Sequence, residues 1–193
     1  MEKVLVTGAT GYIALHCVQQ LLDQGYAVNG SIRSPERKNE VIEALKNSGT
    51  STENLNLYVF DLTNDEGWDD GMEGCDYLLH VASPLALENH TEDYFVKPAV
   101  AGAKRALKFA KKHGVKKVVL TSSVAAIFET GEEKVFYDES DWSDPDNPNI
   151  SNYAKSKTLA EKAAWEFLKE EGNPFDFACL LYTSDAADDS QCV

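Results

Sequence analysis

The chain has 193 residues, 43% of them hydrophobic, which is enough to bury one substantial core. Its 18 basic and 32 acidic side chains give a formal net charge of -14 at pH 7, which argues against nucleic acid or an anionic membrane surface as partner, since either needs a basic face. No apolar run approaches the ~20 residues that span a bilayer, and no signal peptide is expected ahead of the first strand. The cysteines Cys17, Cys75, Cys179 and Cys192 are scattered, with neither a C-x-x-C pair nor a histidine at zinc spacing. A cytoplasmic protein with structural thiols and no metal is expected.

From the first residues, strand and helix patterns alternate. Lys3 to Thr7 is a short apolar run closed by glycine, a buried strand. Ile13, Ala14, Cys17, Val18, Leu21 and Leu22 recur at helical spacing, and Gly25 ends that helix. Tyr26 to Ile32 reads as strand two, Pro35 to Asn47 as a charged helix, Leu55 to Phe60 as strand three and Tyr77 to Ala82 as strand four. A long helix is expected from Thr91 to His113, then a strand centred on Val118 to Thr121. Residues 129–150 form a long acidic loop, a length often associated with function. Ser151 to Glu171 is a helix with Leu159, Ala160, Ala163, Ala164, Phe167 and Leu168 as its buried stripe, stopped by Gly172 and Pro174 before a sixth strand, Phe175 to Leu181. The alternation predicts an α/β fold, a doubly wound parallel sheet of the Rossmann type with right-handed crossovers.

Thr7-Gly8-Ala9-Thr10-Gly11-Tyr12-Ile13-Ala14 links the first strand to the first helix. Gly8 permits the tight turn, Gly11 lets backbone approach a pyrophosphate, and Ala14 stands where a third glycine often allows close helix packing. The helix N-terminus offers N–H groups and a positive dipole end to phosphates. Specificity for NAD usually requires an acid at the end of strand two, on the ribose 2′-hydroxyl. This chain has Arg33 there, with Arg37 and Lys38 beyond. A guanidinium matches a 2′-phosphate and stacks on adenine, so NADP is the expected cofactor, with Lys38 or Arg37 assisting unless both belong only to a solvated helix start.

Tyr153-Ala-Lys-Ser-Lys157 places a phenol and an ammonium at i and i+4, on one helical face. An ammonium beside a phenol favours the phenolate, as a proton donor to a carbonyl oxygen requires. Ser122 and Ser123 close strand five, at the sheet edge where ligands of open α/β folds bind. One of the two hydroxyls is expected to satisfy strand-end backbone instead. His80 is read as packing at the cofactor edge or bonding to backbone, and Trp68, Trp142 and Trp165 as packing residues.

At Thr7–Ile13, Asp61-Leu62, His80-Val-Ala-Ser-Pro84, Thr121-Ser-Ser123 and Tyr153–Lys157 the chain resembles the extended short-chain dehydrogenases/reductases of the epimerase/dehydratase type. Tyr137-Asp-Glu-Ser-Asp-Trp-Ser143 and Lys157 to Trp165 narrow the resemblance to the dihydroflavonol reductase and cinnamoyl-CoA reductase-like branch, which includes NADPH aldehyde and methylglyoxal reductases. The resemblance implies an oxidoreductase that reduces a small-molecule aldehyde or ketone with NADPH. It implies Tyr153 as general acid, Lys157 on the nicotinamide ribose and Ser123 orienting the substrate carbonyl. Gly8, Thr10, Gly11, Tyr12 and Ile13 would hold the pyrophosphate, Asp61 and Leu62 would contact adenine, and Val81, Ala82 and Ser83 would line the cofactor.

The resemblance stops near Ala178. Residues 1–181 are expected to be the dinucleotide-binding domain, and 182–193, small and acidic, a foreign or disordered tail of truncation or assembly origin, with the substrate-binding domain largely absent. Competing readings are a nucleotide-sugar epimerase or dehydratase, against which Arg33 and the Tyr137–Ser140 stretch weigh, a dinucleotide-sensing module without catalysis, against which the intact Tyr153/Lys157 pair weighs, and an inactive fragment.

Overall fold

A computed structural model describes residues 1–84, 91–131 and 134–182. The elements are β1 (Lys3–Val6), α1 (Tyr12–Asp23), β2 (Ala27–Ile32), α2 (Lys38–Asn47), β3 (Leu55–Val59), α3 (Trp68–Met72), β4 (Tyr77–His80), α4 (Glu92–Lys112), β5 (Lys117–Thr121), α5 (Ala125–Phe128), α6 (Asn152–Glu170) and β6 (Asp176–Leu180). A 3-10 turn at Pro35–Arg37 precedes α2 where the sequence pattern suggested continuous α-helix. Of the expected tail, residues 183–193, including Cys192, lie outside the described residues.

The six strands form one parallel sheet in the order β3-β2-β1-β4-β5-β6. The chain starts at the middle of the sheet, winds outward to β3, then returns to β4 and winds outward the other way. This is the doubly wound Rossmann arrangement, and its order reverses between β1 and β4.

Alternation along the strands supplies both faces of the core. Val4 pairs with Val28 and Tyr77, while Leu5 pairs with Asn29 and Leu78. Leu5, Leu78 and Val118 pack with Trp68, Leu107 and Leu168 from α3, α4 and α6. Val4, Val6 and Val28 pack on the opposite face with Val18, Val41 and Leu45 from α1 and α2. The near-continuous apolar strands follow from cover on both sides.

β4 ends at His80, two residues before the expected Ala82. The reason is chemical: the Val81 and Ala82 amides turn to the Thr7 hydroxyl instead of a neighbouring strand. Helices α3 and α5 have no counterpart in the periodic pattern, because five and four residues are too few to show a 3.6-residue repeat. Trp68 is fully buried against Phe60 (centroids 4.6 Å apart) and Phe109 (5.8 Å), and its indole N–H donates to Asp61 O at 2.9 Å. Trp165 departs from a purely packing role, being 43% exposed and edge-on to Phe177.

Trp68 joins β3, α3 and α4 at the heart of the larger core cluster. Trp68→Ala is expected to lower the unfolding free energy by about 3–5 kcal/mol, measured by urea denaturation. A loss under about 1 kcal/mol would show that the tryptophan does not anchor this layer.

Candidate active site

The carboxyl ends of β1 and β4 meet at the switch point, and Thr7 joins them. Its amide donates to Leu79 O at 3.0 Å. Its hydroxyl oxygen accepts from Val81 N and Ala82 N, each at 3.0 Å, and lies 3.0 Å from His80 Nδ1. With both lone pairs used, the single Thr7 proton points to His80 Nδ1, which fixes the imidazole as the Nε2–H tautomer. Burial, and then the charge of Lys157, push the His80 pKa down to about 3. The imidazole is therefore neutral and structural in its Nδ1 contact, which is made to a side-chain hydroxyl and not to the backbone group that the sequence reading offered.

Gly8 follows with φ +74°, and a Cβ there would lie 3.0 Å from Ala82 Cβ. Only glycine fits both the left-handed turn and that approach. Gly8 N donates to Ser31 Oγ at 2.8 Å and Ala9 N to Ser31 O at 2.8 Å. Ser31 thus sets the loop from β2, a role with no signature in the sequence. Gly11 caps α1, its own N–H bonded to Gly8 O at 2.8 Å, and no side chain occupies the capping position of that helix. Thr10 and Ile13 are half-buried, and Tyr12 is exposed, edge-on to His16.

Arg33 stands one residue beyond β2, exposed, and Lys38 is exposed at the start of α2. Arg37 differs: its guanidinium is bound by Glu40, with Nη2 to Oε2 at 2.7 Å. Beyond β3, the Asp61 carboxylate accepts from Thr63 N at 2.7 Å, and Asp61 and Leu62 are half-buried. Helix α4 holds this turn. A Cβ on Gly102 would lie 3.0 Å from Leu62 Cβ, while Arg105 donates to Leu62 O and pairs with Asp65 at 2.5 Å. Arg105 is a second positioning residue that the sequence alone did not single out. Val81, Ala82 and Ser83 are half-buried where β4 ends.

Strand β5 and helix α6 supply the reactive groups. Ser151 caps α6, its Oγ accepting from Ala154 N at 3.0 Å, and Glu129 holds that serine by its N–H (2.8 Å) and hydroxyl (2.9 Å). The acidic loop is thereby tied to the helix that bears Tyr153. Ser143 ties it to α5, donating to Ala125 O and accepting from Glu129 N, both at 2.8 Å. Tyr153 is half-buried in the first turn of α6. One turn on, Lys157 is 7% exposed; its Nζ donates to Thr121 O at 3.2 Å and lies 5.9 Å from the Tyr153 ring centroid. Burial brings the ammonium down to about 8, with Cys179 and Glu161 offsetting part of the fall.

The two serines at the end of β5 differ. Ser123 Oγ accepts from Ala125 N at 3.2 Å, so its own proton remains to be donated. Ser122 Oγ is buried without a hydrogen bond among the described residues and faces a cleft shared with His80, Ser83, Lys157 and Glu161. Every candidate except Tyr153 and Lys157 lies at or just beyond the carboxyl edge of the sheet, and those two reach that edge from α6 through the Thr121 contact. No group of three His, Cys, Asp or Glu side chains among the described residues is arranged to hold a metal, and none of the described helices is long and apolar enough to cross a membrane.

A parallel doubly wound sheet with a glycine turn at its switch point defines a dinucleotide-binding class of fold. The family model described as the NAD dependent epimerase/dehydratase family matches residues 4–184, and the chain belongs to that family. It is 40% identical over 178 residues to vestitone reductase of Medicago sativa, covering 88% of this chain and 54% of that one. It is 37% identical over 189 residues to dihydroflavonol 4-reductase of Arabidopsis thaliana, covering 94% and 49%. Among solved structures it resembles the yeast methylglyoxal/isovaleraldehyde reductase complexed with NADPH, with TM-score 0.79 and 33% identity, covering 93% of this chain and 56% of that one. The chain spans about half the length of the curated relatives it matches.

The neutral His80 has a consequence for acid stability. Below its ordinary value of 6.5 the unfolded chain takes up a proton that the folded chain refuses down to about 3. Stability is therefore level with respect to this group above 6.5 and falls by about 1.4 kcal/mol per pH unit below it. Urea denaturation between about pH 7 and about pH 5, above the carboxylate range, is expected to show this slope in the wild type and its loss in His80→Asn. Equal slopes in both would mean that His80 titrates normally in the folded chain.

Proposed function

We propose that residues 1–181 are the dinucleotide-binding half of an NADPH-dependent reductase that converts an aldehyde or ketone to an alcohol. The observation that carries this reading is the buried Lys157 ammonium, one turn from the Tyr153 phenol and bonded to the carboxyl end of β5, on the same sheet edge as the glycine turn. The relatives it matches are named as reductases of dihydroflavonol and vestitone, and the yeast reductase was solved with NADPH.

The residues present fit the cofactor. The Gly8–Ile13 turn, with a helix start free of any side-chain cap, would receive the pyrophosphate. Arg33 and Lys38, neither joined in an ion pair or hydrogen bond among the described residues, would take the 2′-phosphate. No acid stands at the end of β2 to hold a 2′-hydroxyl instead. Asp61 and Leu62 would contact adenine, and Val81, Ala82 and Ser83 the middle of the cofactor.

Bound NADPH supplies the hydride that adds to the carbonyl carbon. As negative charge builds on the carbonyl oxygen, the Tyr153 hydroxyl transfers its proton there and the Ser123 hydroxyl donates a hydrogen bond to the same atom. Lys157 faces the phenol as a cation, opposing the charge left on the Tyr153 oxygen, and holds the nicotinamide ribose. The phenol then regains its proton from solvent, so the products are the alcohol and NADP. The substrate class is a small-molecule carbonyl compound; vestitone and dihydroflavonol reduction in the relatives favour bulky, aromatic examples.

Tyr153→Phe is expected to lower kcat for NADPH-dependent aldehyde or ketone reduction about 10²–10⁴-fold with little change in NADPH affinity. Equal turnover would remove Tyr153 from proton transfer. Arg33→Ala is expected to weaken NADPH binding about 10–100-fold, from the loss of charge-assisted bonds, and to leave NADH binding nearly unchanged, as read by titration calorimetry. An unaltered ratio of the two affinities would contradict the 2′-phosphate assignment.

A further inference from the structure

Glu161 lies one turn beyond Lys157 on α6 and is only 6% exposed. A buried carboxylate is costly unless paired and hydrogen-bonded. Its Oε1 accepts from Trp165 Nε1 at 3.2 Å, while Oε2 has no well-aligned hydrogen bond among the described residues and the Cys179 thiol is the polar group beside the carboxylate. Both Glu161 and Lys157 line the cleft that runs from His80 to Ser122.

Four elements surround this ammonium. From β4 comes His80, held neutral by the Thr7 bond and by burial. From β6 comes Cys179, whose thiol is pushed far up by burial and by Glu161 itself. From β5 come the Thr121 carbonyl and the Ser122 hydroxyl. Helix α4 presents only Ala99 and Ala103 to the cleft, its charged contacts with α6 (Lys104 to Glu166 and Glu92 to Lys155) lying outside on the surface. On α6 itself there are Tyr153 and Glu161. A thiol that is neutral at pH 7 supplies no counter-charge, so among the described residues Glu161 is the one carboxyl group that lines the cleft with Lys157, beyond the 4.0 Å of a direct ion pair.

We infer that Glu161 is a positioning residue whose buried carboxylate holds Lys157 as an ammonium directed at the carboxyl end of β5. The inference rests on the reading of Lys157 as the partner of Tyr153 in reduction. The buried carboxylate is compensated nearby by the Trp165 N–H and the Cys179 thiol, and at longer range by the Lys157 charge one helical turn away. Trp165, by holding Oε1, fixes the rotamer, which accounts for a half-exposed indole at this position.

The decisive experiment is an NMR titration of Lys157, read at its side-chain ¹³Cε and assigned by its absence in Lys157→Arg. In the wild type the midpoint is expected near 8. In Glu161→Gln it is expected to fall by about one unit or more, with Glu161→Asp restoring part of the difference. The alkaline limb of NADPH-dependent turnover moves down with it in Glu161→Gln. A midpoint unchanged in Glu161→Gln overturns the inference. Should that variant fail to fold, the wild type suffices: the Glu161 ¹³Cδ shift must register the Lys157 deprotonation step, because loss of the nearby positive charge changes the field at the carboxylate, and a carboxylate signal blind to that step overturns the inference equally. Neither reading needs turnover. A wild type that fails to reduce any carbonyl therefore sinks the proposed reaction alone, whereas normal turnover with an uncoupled Lys157 sinks only the role of Glu161.

Discussion

The Thr7 hydroxyl is the atom on which the arrangement of the site depends. Two backbone amides from the end of β4 converge on it, and its proton goes to His80. Without it, three polar groups at the switch point would be left unpaired in a region where burial makes such loss costly. The bond pattern ends β4 at the point where the chain must turn, brings Ala82 to within contact of the Gly8 turn, and fixes the tautomer of a buried imidazole. A single residue at the end of β1 therefore sets the spacing of the two strands between which dinucleotides bind in folds of this kind.

The charge pattern of the cleft follows from the same constraint. A neutral imidazole and a neutral thiol leave one buried ammonium, Lys157, and one buried carboxylate, Glu161, one turn along the same helix. Two unpaired charges in this interior would each carry a large desolvation penalty. We infer that, one helical turn apart, they offset part of each other's cost, and Lys157 still has donors to spare after the bond to Thr121 O. The surface charge behaves differently. The Asp65 and Asp69 clusters with Arg105, Lys108, Lys112 and His113 are exposed pairs, of which only Arg105 reaches inward, where it holds the turn that carries Asp61 and Leu62.

The residues whose meaning is local were legible in the sequence. The Gly8 turn, the Tyr153/Lys157 spacing and the apolar stripes of α1 and α6 depend on neighbours within a few positions. The strand-end location of Arg33 is visible for the same reason, since it needs only the end of β2. What stayed hidden depends on register between distant segments. Ser31 meets Gly8 only because β1 and β2 pair Val6 with Gly30. Arg105 reaches Leu62 across 43 positions. Glu161 looks like any acidic residue on a helix until β6 and α4 close over it. Helices α3 and α5 are too short for periodicity, and Arg37, equal to Lys38 in the sequence, proves to be occupied by Glu40. The 1–181 division remains a proposal drawn from pattern, and the structure is described up to Tyr182.

The central claim is that one dinucleotide lies along the carboxyl edge of this sheet, across the β1/β4 switch point, with its nicotinamide end at α6. Amide hydrogen exchange with and without saturating NADPH reads that edge directly. Protection is expected in four separate stretches, around Gly8–Ile13, Arg33, Val81–Ser83 and Thr121–Ser123, with the amino-terminal ends of the same strands unchanged. Protection confined to one stretch, or absent from the Gly8 turn, would contradict the placement of the cofactor and with it the reaction built upon it.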